Sequence, residues 1–470
     1  MLELGLRRLG PATARAMAGG IAGVLLCVAL VSVVAVHAAP GALPRRGQLG
    51  VRVGAVPDDI RPALKLDPGE GVLVQLLVPG GSAEAGGMQA GDILLALQGQ
   101  RIRGVPDFLE RTATLIGGQT CQLGLMRSGR RVTLSLAVRE RPRDRGESFD
   151  VLYHEVVSGG ARLRTIVTKP RAAGRHPVLL LIPGLGASTV DVPLSDPGAY
   201  SRILAEFARD GWVTVRVDKP GLGDSEGGPQ AELGFEAELD SYRQALRAAR
   251  QYDFVDADSV FVFGHSLGGV FAPMLAGEVA VKGVAVYGTM VKPWPEYLLE
   301  NRRRQEVLAG TDPAVIDARM ADMAAVVQAV MVDRMDPAAL ARARPELQPV
   351  LKILLPDGRH FWGRTLPFWS QLAGTNVPAY WGKSNAHVLA IWGQNDFIAS
   401  EADHPLIAQI VNRARPGRGR YVAVPDSDHA FRKTSSPQDS FRRWTTPAVE
   451  LDPEIIAILK AWTAELRGGR

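Results

Sequence analysis

The chain has 470 residues, which is longer than one ordinary domain and indicates two. Charged residues make up 22% and apolar residues 46% of the sequence, as in a globular protein. The net charge of +5 is small and no basic stripe with interleaved aromatic residues occurs, which argues against nucleic acid as a partner. No Cys or His cluster has metal-ligand spacing, so no metal and no other cofactor is expected.

The beginning of the chain has the pattern of an export signal. Arginines among the first 16 residues precede an uncharged apolar stretch, 17–36, and Val36-His37-Ala38 resembles a signal-peptidase site. A stretch of about 20 apolar residues can also span a bilayer. Residues 1–38 are therefore predicted to be a cleaved signal peptide or a membrane anchor, with a buried helix as a third alternative. The first two place the rest of the chain in a bacterial periplasm or cell envelope.

Residues 46–138 have the pattern of a small β-rich domain. Turn signals separate short apolar runs, and one helix is expected between Val105 and Leu115. The predicted strands are 49–53, 71–78, 93–97, 119–126 and 131–138. Cys121 alternates within one of these runs and is expected to be a buried small apolar residue.

Three stretches of this module resemble a PDZ domain of the kind attached to bacterial envelope proteases. They are Gln48-Leu49-Gly50-Val51, the run from Gly71 to Val74, and the long run from Gly81 to Leu94. The resemblance implies that an extended peptide or a protein C-terminus adds as a strand to the sheet edge, with Leu49, Gly50 and Val51 at the carboxylate loop. In the alternative, these residues form an ordinary first strand, and the module packs on the second domain and shapes or covers its site.

Residues 139–149 are predicted to be a solvated linker, because they are charged, contain Pro and Gly and show no apolar period. From residue 150 to 470, apolar strand-like runs alternate with helical stretches. This alternation is typical of an α/β fold with a mostly parallel sheet and helices on both faces. The residues from about 290 to 385 are not needed by that sheet, and their helical periodicity predicts an inserted helical cap.

The pentapeptide from Gly264 to Gly268 carries the strongest catalytic signal. It follows an apolar strand-like run and precedes small apolar residues, which predicts a strand, a sharp turn and a helix with Ser266 at the apex. A serine hydroxyl needs a neighbouring base and an exposed position to act as a nucleophile. Asp396 and His429 each follow a later strand-like run, in the order acid and then histidine, and are the candidate partners of Ser266.

Other residues compete for the roles of base and acid. Three further histidines follow Ser266, but one begins a core strand and two lack the context of a strand-end loop. These are His387, His360 and His404. Asp426 and Asp428 are too close in sequence to the candidate base to orient it, and they are expected to shape its loop.

Five motifs in this order resemble the α/β-hydrolase superfamily, in the branch of serine aminopeptidases, acylglycerol lipases and esterases. They are Pro183-Gly184-Leu185-Gly186, the run from Asp218 to Ser225, the Ser266 pentapeptide, the run from Gly393 to Asp396, and Asp428-His429. The resemblance implies the α/β-hydrolase fold, a cap over the site, and the backbone amides of Leu185 and Leu267 as oxyanion donors. Pro183 departs from the pattern, since many members have His there. Asp224 and Ser225 are expected to brace the site.

The cap region offers candidates for the substrate pocket. Its side chains either line an apolar pocket or pack on the core. These side chains are Met320, Met323, Met331, Met335, Trp362, Phe368 and Trp369. The run Arg302-Arg303-Arg304 is either a solvated helix face or an anchor for an acidic substrate group.

These features predict an exported serine hydrolase that cleaves an ester or a peptide-like amide through a Ser-His-Asp triad and an acyl-enzyme. The PDZ-like domain would bind a peptide or gate the active site. A serine peptidase or aminopeptidase targeted by its PDZ domain is one alternative, although no acidic anchor for a substrate α-amine is recognisable. A non-catalytic binding or adaptor protein of the cell envelope is the alternative from another class.

Overall fold

The computed structural model describes residues 42–446 and 451–468. The segment predicted to be a signal peptide or anchor, residues 1–38, lies outside this range. Within the described ranges, no helix is long and apolar enough to cross a membrane.

The first module is an antiparallel sheet with three short helices. Its strands are β1 (Gly47–Gln48), β2 (Val51–Ala55), β3 (Val72–Leu77), β4 (Ile93–Leu97), β5 (Gln100–Arg101), β6 (Thr120–Arg127), β7 (Arg130–Ala137) and β8 (Arg139–Glu140). Its helices are α1 (Arg61–Leu64), α2 (Ser82–Ala85) and α3 (Gly104–Ala113). The sheet order is β2-β3-β4-β6-β7, with β5 on β4, while β1 pairs with β8. The predicted strands and helix of this module are confirmed with small shifts at their ends, and Cys121 is a buried free thiol.

The second module begins with the strands of a larger sheet. They are β9 (Phe149–Ser158), β10 (Ala161–Pro170), β11 (His176–Ile182), β12 (Val213–Val217), β13 (Val255–His265) and β14 (Gly283–Tyr287). The helices between them are α4 (Ala199–Arg209), α5 (Phe235–Ala249) and α6 (Gly268–Glu278), with a 3-10 turn at Gln230–Glu232. The central strands β11 to β14 are buried along almost their whole length, because helices cover both faces of the sheet.

A helical insertion follows β14 and forms the cap. Its helices are α7 (Trp294–Leu308), α8 (Pro313–Val327), α9 (Pro337–Ala343), α10 (Gln348–Leu354), α11 (Leu366–Ala373) and α12 (Val377–Lys383). A π-helical turn at Gln328–Val332, a 3-10 turn at Pro345–Leu347 and a short hairpin of β15 (His360–Phe361) and β16 (Arg364–Thr365) complete it. The helices α8 and α9 each begin after an aspartate whose side chain accepts a backbone N–H of the first turn, which stabilises their N-termini.

The chain then returns to the sheet with β17 (His387–Gly393), α13 (Asp403–Ala414), β18 (Gly419–Val424), α14 (Pro437–Arg442) and α15 (Pro453–Gly468). The sheet order is β18-β17-β14-β13-β11-β12-β10-β9, parallel from β18 to β12 and antiparallel at β10 and β9. Parallel strands bring their carboxyl ends to one edge. The loops after β11, β13, β17 and β18 therefore meet at one place, where ligands of open α/β sheets bind.

The segment predicted to be a solvated linker, residues 139–149, is mostly exposed and contacts both modules. Arg139 and Glu140 form β8, and the Asp144 carboxylate accepts the backbone N–H of Leu194 at 2.9 Å. The Tyr153 hydroxyl accepts the backbone N–H of Asp144 at 2.8 Å. Most residues of the segment are exposed, whereas the Asp144 side chain is buried against the second module.

A buried ion cluster joins the two modules, which belong to one compact unit. Arg45, just before β1, pairs with Asp191 and, at 2.9 Å, with Asp224, and these three side chains are almost fully buried. Arg164 on β10 also reaches Asp224, at 3.1 Å. Asp191 directly follows the loop of residues 183–190, so this cluster ties the start of the first module to a loop at the sheet edge.

Replacing Arg45 with Met is expected to lower the free energy of unfolding by about 3–5 kcal/mol, because two carboxylates would lose a buried partner. Urea titration of the purified protein measures this change. Arg420→Met is the matched control, because the Arg420–Glu465 pair is half exposed and its loss should cost about 1 kcal/mol or less. Equal effects of the two substitutions would contradict a structural role for the Arg45 cluster.

Candidate active site

The turn between β13 and α6 places Ser266 at the sheet edge in a strained backbone conformation. Ser266 has φ of 54°, in the left-handed region that serine rarely adopts. Its N–H donates to the Tyr287 carbonyl at 2.9 Å, which anchors the turn to β14. A Cβ at Gly268 would lie 2.1 Å from the Ile182 carbonyl oxygen, so only glycine allows α6 to approach β11 this closely. The pentapeptide folds into the predicted strand, turn and helix.

Asp396 and His429 come together behind Ser266. His429 Nδ1 lies 2.8 Å from Asp396 Oδ2, and both side chains are buried. The other oxygen of Asp396 accepts the N–H groups of Ile398 and Ala399 at 2.7 and 2.8 Å, which fixes the carboxylate plane. This pairing leaves Nε2 of the imidazole free to exchange a proton.

Gly288 makes room for this pair. It has φ of 58°, and a Cβ there would lie 2.9 Å from both Asp396 Oδ2 and His429 Nδ1. Ser266 and His429 line the same cavity. Within the described residues, the Ser266 hydroxyl makes no hydrogen bond to the imidazole, and such contacts often tighten only when substrate binds.

Two residues that line the cavity at Ser266 have backbone N–H groups without a partner among the described residues. Leu185 and Leu267 both line the cavity, and neither of their N–H groups donates to any residue that the structure describes. Leu185 lies in the loop after β11, and Leu267 is at the start of α6. Free amides at this position can stabilise a developing negative charge on oxygen.

A buried chain of hydrogen bonds connects the Leu185 loop to the His429 loop. The Gly184 N–H donates to the Tyr200 hydroxyl at 3.1 Å, and that hydroxyl lies 2.6 Å from His265 Nδ1. His265 Nε2 lies 2.9 Å from the His429 carbonyl oxygen, so Nε2 carries the proton and Nδ1 accepts from Tyr200. Burial lowers the pKa of His265, which keeps this imidazole neutral. Sequence analysis missed Tyr200 and His265, because only the fold brings them together.

The competing histidines have other surroundings. His404 is buried in α13, accepts the Thr289 N–H at 3.2 Å and faces the Ser400 carbonyl oxygen, and burial lowers its pKa to about 4. His360 lies in the cap hairpin beside Asp357. His387 begins β17, as predicted.

The bracing residues also have defined partners. Asp428 pairs with Arg432 at 2.8 Å and shapes the loop of the candidate base. Asp224 belongs to the Arg45 cluster, and the Ser225 hydroxyl accepts the Arg164 N–H at 2.9 Å.

The cavity at Ser266 has a volume of about 720 Å³ and mostly apolar walls. Its aromatic lining residues are Tyr200, Trp294, Tyr297, Trp362, Trp369, Phe397, Phe441 and Trp444. Of the two alternatives for these cap side chains, Trp362 and Trp369 line the cavity, whereas Phe368 packs in the core. No Asp, Glu, Lys or Arg side chain of the described residues lines the cavity.

The cap methionines and arginines lie elsewhere. Met320, Met323 and Met331 are buried in the core, and Met335 is exposed, so the packing alternative is correct for three of the four. None of the three arginines lines the cavity, and each side chain has a protein partner. Arg302, Arg303 and Arg304 contact Glu306, Asp317 and the backbone oxygens of 397–398 respectively.

The predicted peptide site lies at an open edge of the first module. On its side away from β3, strand β2 pairs with no strand that the structure describes, and α3 packs beside it. The carbonyls of Leu49 and Gly50 accept the N–H groups of Ala83 and Val78, both at 2.8 Å. The Leu49 and Gly50 N–H groups donate to no described residue, and Val51 begins β2. Free amides beside an open strand edge fit the end of an extended peptide.

The parallel sheet, the strained turn and the inserted cap define a hydrolase of the α/β type. The family model described as "Alpha/beta hydrolase family" matches residues 179–443, and the chain belongs to this family. A PDZ-domain model matches residues 42–114.

The curated relatives match the PDZ region. A probable periplasmic serine endoprotease DegP-like of Bartonella henselae is 31% identical over 102 residues, which is 22% of this chain and 20% of the relative. The periplasmic serine endoprotease DegP of Salmonella typhimurium is 28% identical over 107 residues, 23% of this chain and 22% of the relative. The chain thus spans about a fifth of the length of these relatives.

Two solved structures are similar to parts of the chain. Est1E from Butyrivibrio proteoclasticus, with ferulic acid bound, is 15% identical with a TM-score of 0.43, over 67% of this chain and 99% of that one. The HtrA-type protease AlgW with a decapeptide is 30% identical with a TM-score of 0.19, over 21% of this chain and 30% of that one.

Proposed function

We propose that the protein is an exported serine hydrolase that cleaves neutral, apolar carboxylic esters. The observation that carries this proposal is the Asp396–His429 pair beside a strained serine at an apolar cavity. Export is supported by the pattern of residues 1–38 and by the periplasmic relatives of the PDZ region.

The proposed reaction is acyl transfer to water. Ser266 Oγ attacks the ester carbonyl while His429 Nε2 takes its proton, and Asp396 stabilises the imidazolium that forms. The N–H groups of Leu185 and Leu267 donate to the oxyanion. His429 then protonates the leaving alcohol, and a water molecule, deprotonated by the same imidazole, hydrolyses the acyl-enzyme. No step requires a cofactor.

The walls of the cavity favour esters over aminopeptidase substrates. An aminopeptidase must hold a charged α-amine, and an isolated buried charge without a partner is very costly. No carboxylate of the described residues lines the cavity. The aromatic walls suit a large apolar acyl or alcohol group.

The PDZ module is proposed to bind a peptide at the open edge of β2. Its fixed contact with the second module, through Arg45 and Asp191, supports a role in positioning the loop next to the active site. A non-catalytic adaptor remains the alternative, and it is favoured if the serine does not react.

A panel of substrates tests this proposal on the purified protein. We expect stoichiometric labelling by a fluorophosphonate and hydrolysis of p-nitrophenyl esters with apolar acyl groups. The value of kcat/KM for a neutral acyl ester should exceed that for an anionic acyl ester or an aminoacyl p-nitroanilide by on the order of 100-fold, because the cavity offers no counter-charge. Faster turnover of the aminoacyl amide would indicate an aminopeptidase, and no labelling of folded protein would indicate the adaptor.

A further inference from the structure

Lys219, in the loop after β12, is buried behind the Leu185 loop and is absent from the cavity wall. Its Nζ donates to the carbonyl oxygens of Gly184 and Gly186 at 2.7 and 3.0 Å. The third neighbour is Glu238 Oε1 on α5, at 3.0 Å. Three acceptors match the three N–H donors of an ammonium group, whereas a neutral amine has only two.

The peptide between Gly184 and Leu185 is trans, so its carbonyl and its N–H point in opposite directions. Lys219 holds the carbonyl end of this peptide. The Leu185 N–H is therefore directed away from Lys219, on the side of the cavity that Leu185 lines. A positive charge on the carbonyl oxygen also polarises the peptide and makes its N–H a stronger hydrogen-bond donor.

The ammonium group is held in place from the other side. Glu238 pairs with Arg364 of the cap hairpin and accepts the Tyr242 hydroxyl at 3.2 Å. Burial and the Arg364 charge lower the pKa of Lys219, whereas Glu238 and, to a smaller extent, Asp218 raise it and favour the charged ammonium. The proposed proton transfers do not involve this cluster. Its link to the site is its contact with the Leu185 loop.

We propose that Lys219 is a positioning residue of the oxyanion hole, which orients and polarises the Leu185 amide through the Gly184 carbonyl. This inference rests on the proposed esterase function and adds a residue that does not touch the substrate. Its contribution appears only when negative charge develops on the substrate oxygen. Ground-state binding is therefore expected to be independent of Lys219.

Lys219→Met tests this role in the full-length protein. We expect kcat for a p-nitrophenyl ester to fall roughly 10–100-fold, less than the 10²–10³-fold of losing a whole oxyanion donor, with KM little changed. The affinity for an alkyl boronic acid, which forms a tetrahedral adduct on serine, should fall by a similar factor. The Kd for a non-hydrolysable ether analogue should stay within roughly 2-fold of the wild-type value.

Arg364→Met is the matched control, because it removes a partner of the same Glu238 without touching the loop carbonyls. We expect it to lower Tm as Lys219→Met does while kcat and boronate affinity are kept. If Lys219→Met does not fold, Lys219→Gln replaces it, since Gln keeps a neutral donor and should show a smaller loss of the same kind.

Three outcomes separate this inference from the proposed function. If the wild-type protein does not hydrolyse esters, both the proposed function and the role of Lys219 are contradicted. Active wild type with an equally active, folded Met or Gln variant would overturn the role of Lys219 alone. Equal losses of kcat and boronate affinity in the Arg364 control would also overturn it, because the effect would then belong to the whole buried cluster.

Discussion

Ser266→Ala is expected to lower kcat for an activated ester by about 10⁶-fold and to abolish labelling by a fluorophosphonate. The substitution removes the only atom that the proposed mechanism makes covalent with substrate. The free amides of Leu185 and Leu267 and the cavity walls remain, so some acceleration over water should persist. Steady-state kinetics and mass spectrometry of the labelled protein measure both effects.

Ser188→Ala is the matched control for this prediction. Ser188 also lines the cavity, but it lies in the exposed part of the loop after β11 and not in the strained turn. Its replacement should change kcat by only a few-fold, on the order of a lost hydrogen bond at most. A Ser266 variant that keeps more than a small fraction of the wild-type rate would show that another group is the nucleophile.

The strands along the chain and the loops that carry the candidate triad could be predicted from the sequence because they depend on local signals. Apolar runs gave the buried parallel strands, and polar residues directly after them gave the loops that meet at one edge. Ser266, Asp396 and His429 were chosen by this rule, and the structure brings the last two into contact. Their catalytic roles stay predictions.

Residues that act through distant backbone could not be found in this way. Lys219 and Tyr200 each contact the Gly184 loop. Tyr200 lies in no motif, and the motif from Asp218 to Ser225 contains Lys219 but does not reveal its contact. Both side chains contact the loop from the interior of the protein. The role of a buried polar residue depends on its hydrogen-bond partner, which only the fold determines.

The number of charged residues in a segment did not show which of them are buried. The run 139–149 was predicted to be solvated, and most of it is exposed, but the Asp144 side chain within it is buried. Arg45, outside this run, also lies in a buried cluster. Composition gives the number of charged residues in a segment. Whether one of their side chains is buried depends on whether the fold places an opposite charge beside it. Helical periodicity had a similar limit in the cap, where it could not tell whether the buried methionines of the Met320 helix line the cavity or pack in the core.

Asp396→Asn is expected to lower kcat by about 10⁴-fold with little change in KM. Asp396 Oδ1 accepts two backbone N–H groups, from Ile398 and Ala399, and an amide oxygen would take that place in the variant. The amide NH₂ would then face His429 Nδ1 and donate to it. The imidazole would carry its proton on Nε2, which could no longer accept the proton of Ser266.

The matched control is Asp426→Asn, in the loop of His429 itself. Asp426 is exposed and has φ of 56°, a conformation that asparagine also adopts. Its replacement should leave kcat within a few-fold of wild type, on the order of a surface change. Both variants remove one carboxylate near His429. A loss of kcat in both would therefore indicate a general effect of charge. A loss of kcat in Asp396→Asn alone would show that Asp396 controls the tautomer of the imidazole.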